Sequence, residues 1–155
     1  MSVSKKILNY LDKNKVKYEL IEHKTVFTAY DLAQTLKLEL SAIAKTLLVK
    51  LDSHLALAVL PASTRLDLKK LKALAKVKKA EIPKENIMKT KLKIKPGAIT
   101  PFGKIYKLPV YLDDSLKRPK VILVGSGSFE ESLKLTPANL IKLEQPTIGK
   151  ISGKK

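Results

Sequence analysis

No cysteine occurs anywhere in the chain, which excludes disulfides, thiol nucleophiles and thiolate metal ligands together. His23 and His54 are the only imidazoles, so a histidine-rich zinc site or a serine–histidine relay has few candidates. Aromatics are sparse, with five Tyr and three Phe, and stacking on many single-stranded bases is disfavoured. There is no Gly-Lys-Ser/Thr phosphate loop and no full dinucleotide fingerprint, so a nucleotide-triphosphate site is not supported. The first residues, Met1 to Ser4, form no apolar signal core, and no apolar run approaches a membrane span, which predicts a soluble, cytoplasmic protein.

Positive charge is what the chain has in excess. Thirty-one basic residues stand against 14 acidic ones, for a net charge of +17, and only Arg65 and Arg118 are not lysine. A polyanionic partner follows, nucleic acid first and an anionic membrane surface second; a lysine-decorated surface of the thermophile kind is the alternative. A length of 155 residues with 45% hydrophobic content suits one folded domain over residues 1–155, with its own core.

Periodicity predicts an amphipathic helix from Ser4 to near Asn14 and a strand from Val16 towards His23. Thr28 and Asp31 fit a capping box for a helix through Leu36, and Ser41 reads as a second short cap. Residues 46–49 and 55–60 flank Asp52-Ser53-His54 as a β-hairpin that Pro61 closes. Leu66, Leu68, Leu71 and Leu74 recur at helical spacing, with lysines between them. A short strand near Lys78–Ile82, a helix opened by Pro83, strands over Ile105–Leu112 and Val121–Val124, and a last helix capped by Thr136-Pro137 complete the order. Hairpins outnumber βαβ units, so the fold class is mixed α/β, with a mostly antiparallel or mixed sheet wrapped by helices. The basic tail, residues 149–155, is expected to fray.

Two segments carry candidate chemistry. Lys45 stands at the mouth of the apolar run Thr46–Val49. It reads either as a lysine snorkelling from a strand or as a clamp on a carbonyl, carboxylate or ribose phosphate, with proton transfer open to it if burial lowers its pKa. Thr46 alternates to the other face. Gly97-Ala98-Ile99-Thr100-Pro101-Phe102-Gly103 frames a proline and a lone aromatic between glycines; it is a tight turn or a rigid loop whose amides meet a ligand. Gly125-Ser126-Gly127-Ser128 is another place where backbone could approach a phosphate. Asp113 and Asp114 suit a metal or a proline-flanked turn equally. His23 reads as a strand-end residue satisfied by its neighbours, and His54 as a solvent-exposed turn residue. Lys69, Lys70, Lys72, Lys76, Lys78 and Lys79 could track a phosphate backbone or simply be solvated.

Taken in order, Glu22-His23, Thr28 to Ala33, Ala44 to Lys50, Val59 to Ala62, Leu66 to Leu71, Gly97 to Gly103, Val110 to Asp113 and Val124 to Gly127 resemble the YbaK and prolyl-tRNA-synthetase-associated domain family of trans-editing aminoacyl-tRNA deacylases, over nearly the whole chain. The resemblance implies a barrel-like mixed sheet surrounded by helices and hydrolysis of the ester between a wrong amino acid and the 3′ end of tRNA. It makes Lys45 the essential lysine and Gly97 and Pro101 the G-x-x-x-P substrate loop. Thr28 becomes a pocket-lining residue and Gly125 to Gly127 a glycine-rich wall. Thr46, Ala98, Phe102, Gly103 and Asp113 complete the substrate-binding candidates, with the six lysines from Lys69 to Lys79 receiving the acceptor stem. Where the family has a Thr-Gly pair before this loop, Thr90 is followed by Lys91.

The reaction the resemblance implies is deacylation of mischarged tRNA, with tRNA-Pro carrying Ala or Cys foremost. Prolyl-tRNA synthetase is a possible partner, and no metal, cofactor or membrane is implied. A monomer is favoured. A noncatalytic tRNA- or RNA-binding module of the same fold is the alternative, and a purely structural or protein-interaction role is the third reading.

Overall fold

Alternating burial along two long strands organises the fold. The computed structural model describes residues 5–26, 28–94 and 99–154. Strand β2 (Ala44–Leu51) pairs antiparallel with β3 (His54–Pro61) through a tight turn at Asp52-Ser53. In β3, Leu57 and Val59 enter the main core, whereas Ala56 and Ala58 enter a second core with Leu71 and Ile151. Both faces are therefore covered, which is why this strand reads as an unbroken apolar run. The two alanines leave room for helix α3 (Leu68–Ala75), which brings Leu71 onto them.

The sheet built on this hairpin has the order β5 (Ala80–Glu81), β2, β3, β6 (Val110–Asp113), β9 (Thr147–Gly149), with the β3–β6 and β6–β9 pairs parallel. A three-stranded antiparallel sheet, β1 (Glu19–Glu22), β8 (Glu131–Leu135), β7 (Ile122–Gly125), stands beside it. A third pair joins β4 (Thr64–Leu66) to β10 (Ser152–Lys154). The main core lies between the two larger sheets and takes Ile7 and Leu11 from α1 (Lys5–Lys13) and Leu140 and Leu143 from α6 (Pro137–Glu144). Helix α2 (Ala29–Leu36) covers a separate cluster containing Val26, Ile43 and Leu123. Helix α4 (Glu85–Lys91) and helix α5 (Gly103–Tyr106) follow in the sequence.

The mixed α/β class is as expected, and several elements differ from the sequence reading. Leu66 belongs to β4, because Asp67 accepts from the Lys69 and Lys70 amides at 3.0 and 3.1 Å and starts α3 one residue later. The apolar run from Ile105 divides into a helix and a strand, since Lys107 takes a left-handed conformation and ends α5. Ser41 caps nothing; Glu39 precedes the 3-10 turn Leu40–Ala42, with no side-chain cap. The tail is paired rather than frayed through residue 154: Ile151 is fully buried, and the Asp113 carboxylate accepts from the Ile151 and Ser152 amides at 2.9 and 3.0 Å.

Candidate active site

Ile43, the residue before β2, makes a parallel bridge to Leu123 of β7. Past it the walls Ala44–Leu48 and Val124–Gly125 face a cavity of about 370 Å³. Helix α2 and the chain before it roof this opening through Val26, Thr28, Ala29 and Leu32, and Ile82 to Lys84 form part of the rim after β5. The roof is clipped to the β7–β8 turn, as His23 and Val26 donate their amides to the Glu130 and Phe129 carbonyls, each at 2.9 Å.

Lys45 stands in this wall, half-buried, and its Nζ donates to the Thr64 carbonyl at 2.5 Å. Thr64 is itself held by its hydroxyl donating to the Pro61 carbonyl at 2.8 Å, so the turn between β3 and β4 orients the ammonium. Thr46, next along β2, also lines the cavity, and its Oγ1 is buried with no hydrogen-bond partner among the described residues. A buried hydroxyl without a partner costs about 1–3 kcal/mol, and this oxygen has almost no accessible surface, so Thr46 meets the cavity through its other atoms.

Thr28 joins Lys45 and Thr46 at the cavity, although its Oγ1 already accepts from the Asp31 amide at 3.0 Å as the cap of α2. Gly125 is there for a steric reason: a Cβ at this position would stand 2.7 Å from the Ile99 carbonyl oxygen. Gly97 and Ala98 lie outside the described residues; Ile99, which follows them, lines the cavity.

Other candidates fall elsewhere. Pro101, Phe102 and Gly103 are buried behind the site, with the Phe102 ring 6.1 Å from Tyr10 and a Gly103 Cβ blocked by Leu108 and Val110. Ser126 is fully buried and closes the β7–β8 turn by donating to the Glu131 carbonyl at 2.5 Å; Gly127 supplies the turn's positive φ of 89°. Their neighbours Ser128 and Phe129 line the cavity instead. Asp113 is a buried clasp for the C-terminal strand. Burial alone would raise its pKa, but hydrogen bonds from Ser115, Ile151 and Ser152 outweigh that and hold it below the ordinary value. The six lysines are all exposed, on α3 and the chain leading into β5. Lys70 Nζ donates to the Ser152 carbonyl at 2.9 Å and Lys79 pairs with Glu81 at 3.4 Å, so these two also serve the fold.

Two polar residues that sequence reasoning did not place at the site are there. His23 and Ser132 both line the cavity, with His23 Nε2 2.9 Å from Ser132 Oγ. The signal was weak: Glu131 takes an apolar place in the alternation of Phe129, Leu133 and Leu135, and β8 is not legible as a strand for that reason. Among the described residues no group of three or more His, Asp or Glu side chains could hold a metal ion.

Known proteins resemble this chain over most of its length. It is 27% identical to the Enterococcus faecalis protein named "Putative Cys-tRNA(Pro)/Cys-tRNA(Cys) deacylase EbsC", over 89% of this chain and 85% of that one. It is 31% identical to the uncharacterized protein YwhH of Bacillus subtilis, over 73% of this chain and 72% of that one. Two crystal structures share its fold. The hypothetical protein APE2540 superposes with a TM-score of 0.89 at 20% identity, over 96% of this chain and all of that one. A "putative trans-editing enzyme for prolyl tRNA synthetase" superposes with a TM-score of 0.84 at 21% identity, over 98% and 99%. Residues 23–143 match the family described as the aminoacyl-tRNA editing domain, and they span the cavity from His23 in the roof to the strands that carry Lys45 and Ser132, so this chain belongs to that family.

Proposed function

We propose that this protein is an aminoacyl-tRNA deacylase whose reaction takes place in the cavity between β2 and β7, with Lys45 as its central residue. The observation that carries this reading is Lys45, its ammonium oriented by the Thr64 carbonyl, in the wall of a cavity lined mainly by apolar side chains. An aminoacyl ester is intrinsically reactive, so the protein need only hold the acyl group, stabilise the oxyanion and exclude larger side chains. No enzyme nucleophile is needed. Water adds to the carbonyl carbon, because attack by the neighbouring ribose hydroxyl would only move the acyl group along the ribose, and the tetrahedral oxyanion forms beside Lys45. The ester C–O bond then breaks, and the departing ribose oxygen takes the proton released by the attacking water, leaving the free amino acid and the uncharged tRNA end.

The substrate we favour is tRNA-Pro carrying Ala or Cys. The Enterococcus relative is named for Cys-tRNA(Pro), and a structural neighbour is named for prolyl-tRNA synthetase. The exposed lysines of α3 would receive the acceptor stem through phosphate contacts that position without reading sequence. The test is release of labelled amino acid from tRNAs charged with Ala, Cys, Ser and Pro. Hydrolysis of a noncognate ester by the wild type, lost in Lys45→Ala, is the expected result. Salt-sensitive tRNA binding with background-level release from every ester would point to a noncatalytic binding module.

A further inference from the structure

The polar pair that shares the cavity with Lys45 has a defined hydrogen-bond polarity when the imidazole is neutral. His23 Nδ1 lies 2.8 Å from the Lys24 carbonyl oxygen, and Nε2 lies 2.9 Å from Ser132 Oγ. A carbonyl oxygen only accepts, so Nδ1 carries a proton. In the neutral imidazole Nε2 is then the acceptor, and the Ser132 hydroxyl donates to it. With its single proton committed to the ring, Ser132 Oγ offers only lone pairs to anything that enters. The residue is 4% exposed and stands in register with Gly125, in the wall of the cavity that Lys45 shares.

That polarity meets a need set by the charges around it. The described lining residues include Lys45 and Lys84 and no carboxylate. An aminoacyl ester brings a carbonyl, which suits a lysine, and an α-amino group, which a lysine repels. The amino group therefore requires a neutral acceptor on another strand. Resting on the deacylase reading, we infer that Ser132 Oγ, fixed as an acceptor by His23, receives the α-amino group of the substrate, with His23 a positioning residue. The consequence is selectivity for esters with a free α-amine: N-acylated aminoacyl-tRNA, peptidyl-tRNA included, is a poor substrate.

The experiment compares hydrolysis of alanyl-, cysteinyl- and seryl-tRNA with that of their N-acetylated forms. The wild type should prefer the free amine at least about tenfold in kcat/KM, the scale of one hydrogen bond to a charged group. Ser132→Ala should bring that preference close to unity by raising KM for the free-amine ester and leaving the N-acetyl ester nearly unchanged. His23→Leu, which lets the hydroxyl rotate, should do the same. His23→Gln, whose Oε1 can accept where Nε2 did, should keep most of the preference, a rescue that a merely structural role would not produce. The two His23 variants also decide the matter should Ser132→Ala melt early. Preserved selectivity in active Ser132→Ala, or an acyl group found on Ser132 by intact mass, overturns this inference alone. No hydrolysis of any ester by the wild type overturns the deacylase reading together with it.

Discussion

Thr46 shows how a single residue can cost stability. Its hydroxyl is buried without a partner among the described residues, so the folded protein carries a desolvation penalty there. Thr46→Val removes the polar atom and keeps the shape. We expect a thermal midpoint equal to or above that of the wild type, measured by circular dichroism, because the penalty is removed and no bond is lost. A lower midpoint would mean that the hydroxyl is satisfied in the folded protein. Gly125 gives the opposite case: Gly125→Ala drives a methyl to within 2.7 Å of the Ile99 carbonyl oxygen and should cost about 1–3 kcal/mol by chemical denaturation, as overpacking does. Two ionisable residues set the acid response. Asp113 has a folded pKa below its ordinary value of 3.8, because the bonds from Ser115, Ile151 and Ser152 outweigh desolvation. Its contribution is thus present above pH 3.8 and is lost as pH falls through the lower folded value. Asp113→Asn should therefore be less stable than the wild type at neutral pH, with the gap closing below that pH. Glu144 has the opposite sign. Burial raises its pKa above 4.5 despite bonds from Tyr10 and the Lys104 amide at 2.6 and 3.0 Å. Its contribution is full below pH 4.5 and declines as pH rises through the folded value, so acid does not loosen that contact.

At the scale of elements, lysine occupies positions that usually fall to glycine. Helices α2, α3 and α5 end on Lys37, Lys76 and Lys107 with φ of 55°, 57° and 60°. A residue with a Cβ in this left-handed region costs roughly 1–2 kcal/mol. Lys37→Gly should therefore stabilise the protein by about 1 kcal/mol in denaturant titration, offset in part by the greater freedom of glycine when unfolded. A neutral or destabilising result would mean that the lysine makes a compensating contact. These helix ends carry no glycine signal, which explains why the run from Ile105 reads as one strand. Elements whose cues are chemical rather than conformational are legible: Thr28 and Thr136 cap their helices by accepting from Asp31 and Asn139. Strand β8 is the reverse case, since the buried Glu131 takes an apolar place and breaks the alternation by which buried strands are recognised.

For the whole molecule, the charge of +17 governs encounter with a polyanion rather than the fold. Lys69, Lys72 and Lys76 recur at three- and four-residue spacing and are exposed. Replacing Lys69 and Lys72 by glutamine should reduce the slope of log affinity for tRNA against log salt by about two, at roughly one unit for each phosphate no longer neutralised. An unchanged slope in filter binding would move the RNA footprint to another face.

By itself the amino-acid sequence determined the absence of thiol chemistry, the basic charge, the mixed α/β class and the β2–β3 hairpin, because composition, apolar periodicity and capping are local properties. Only the tertiary structure decided which polar groups share a cavity. Ser126, Asp113 and Phe102 have the residue types of a site but are used to close a turn, clasp a strand and fill the core. His23 and Ser132, 109 positions apart, meet because β1 pairs with β8. Long-range strand pairing sets such neighbours, and it depends on how whole faces are buried rather than on the residues next to each one.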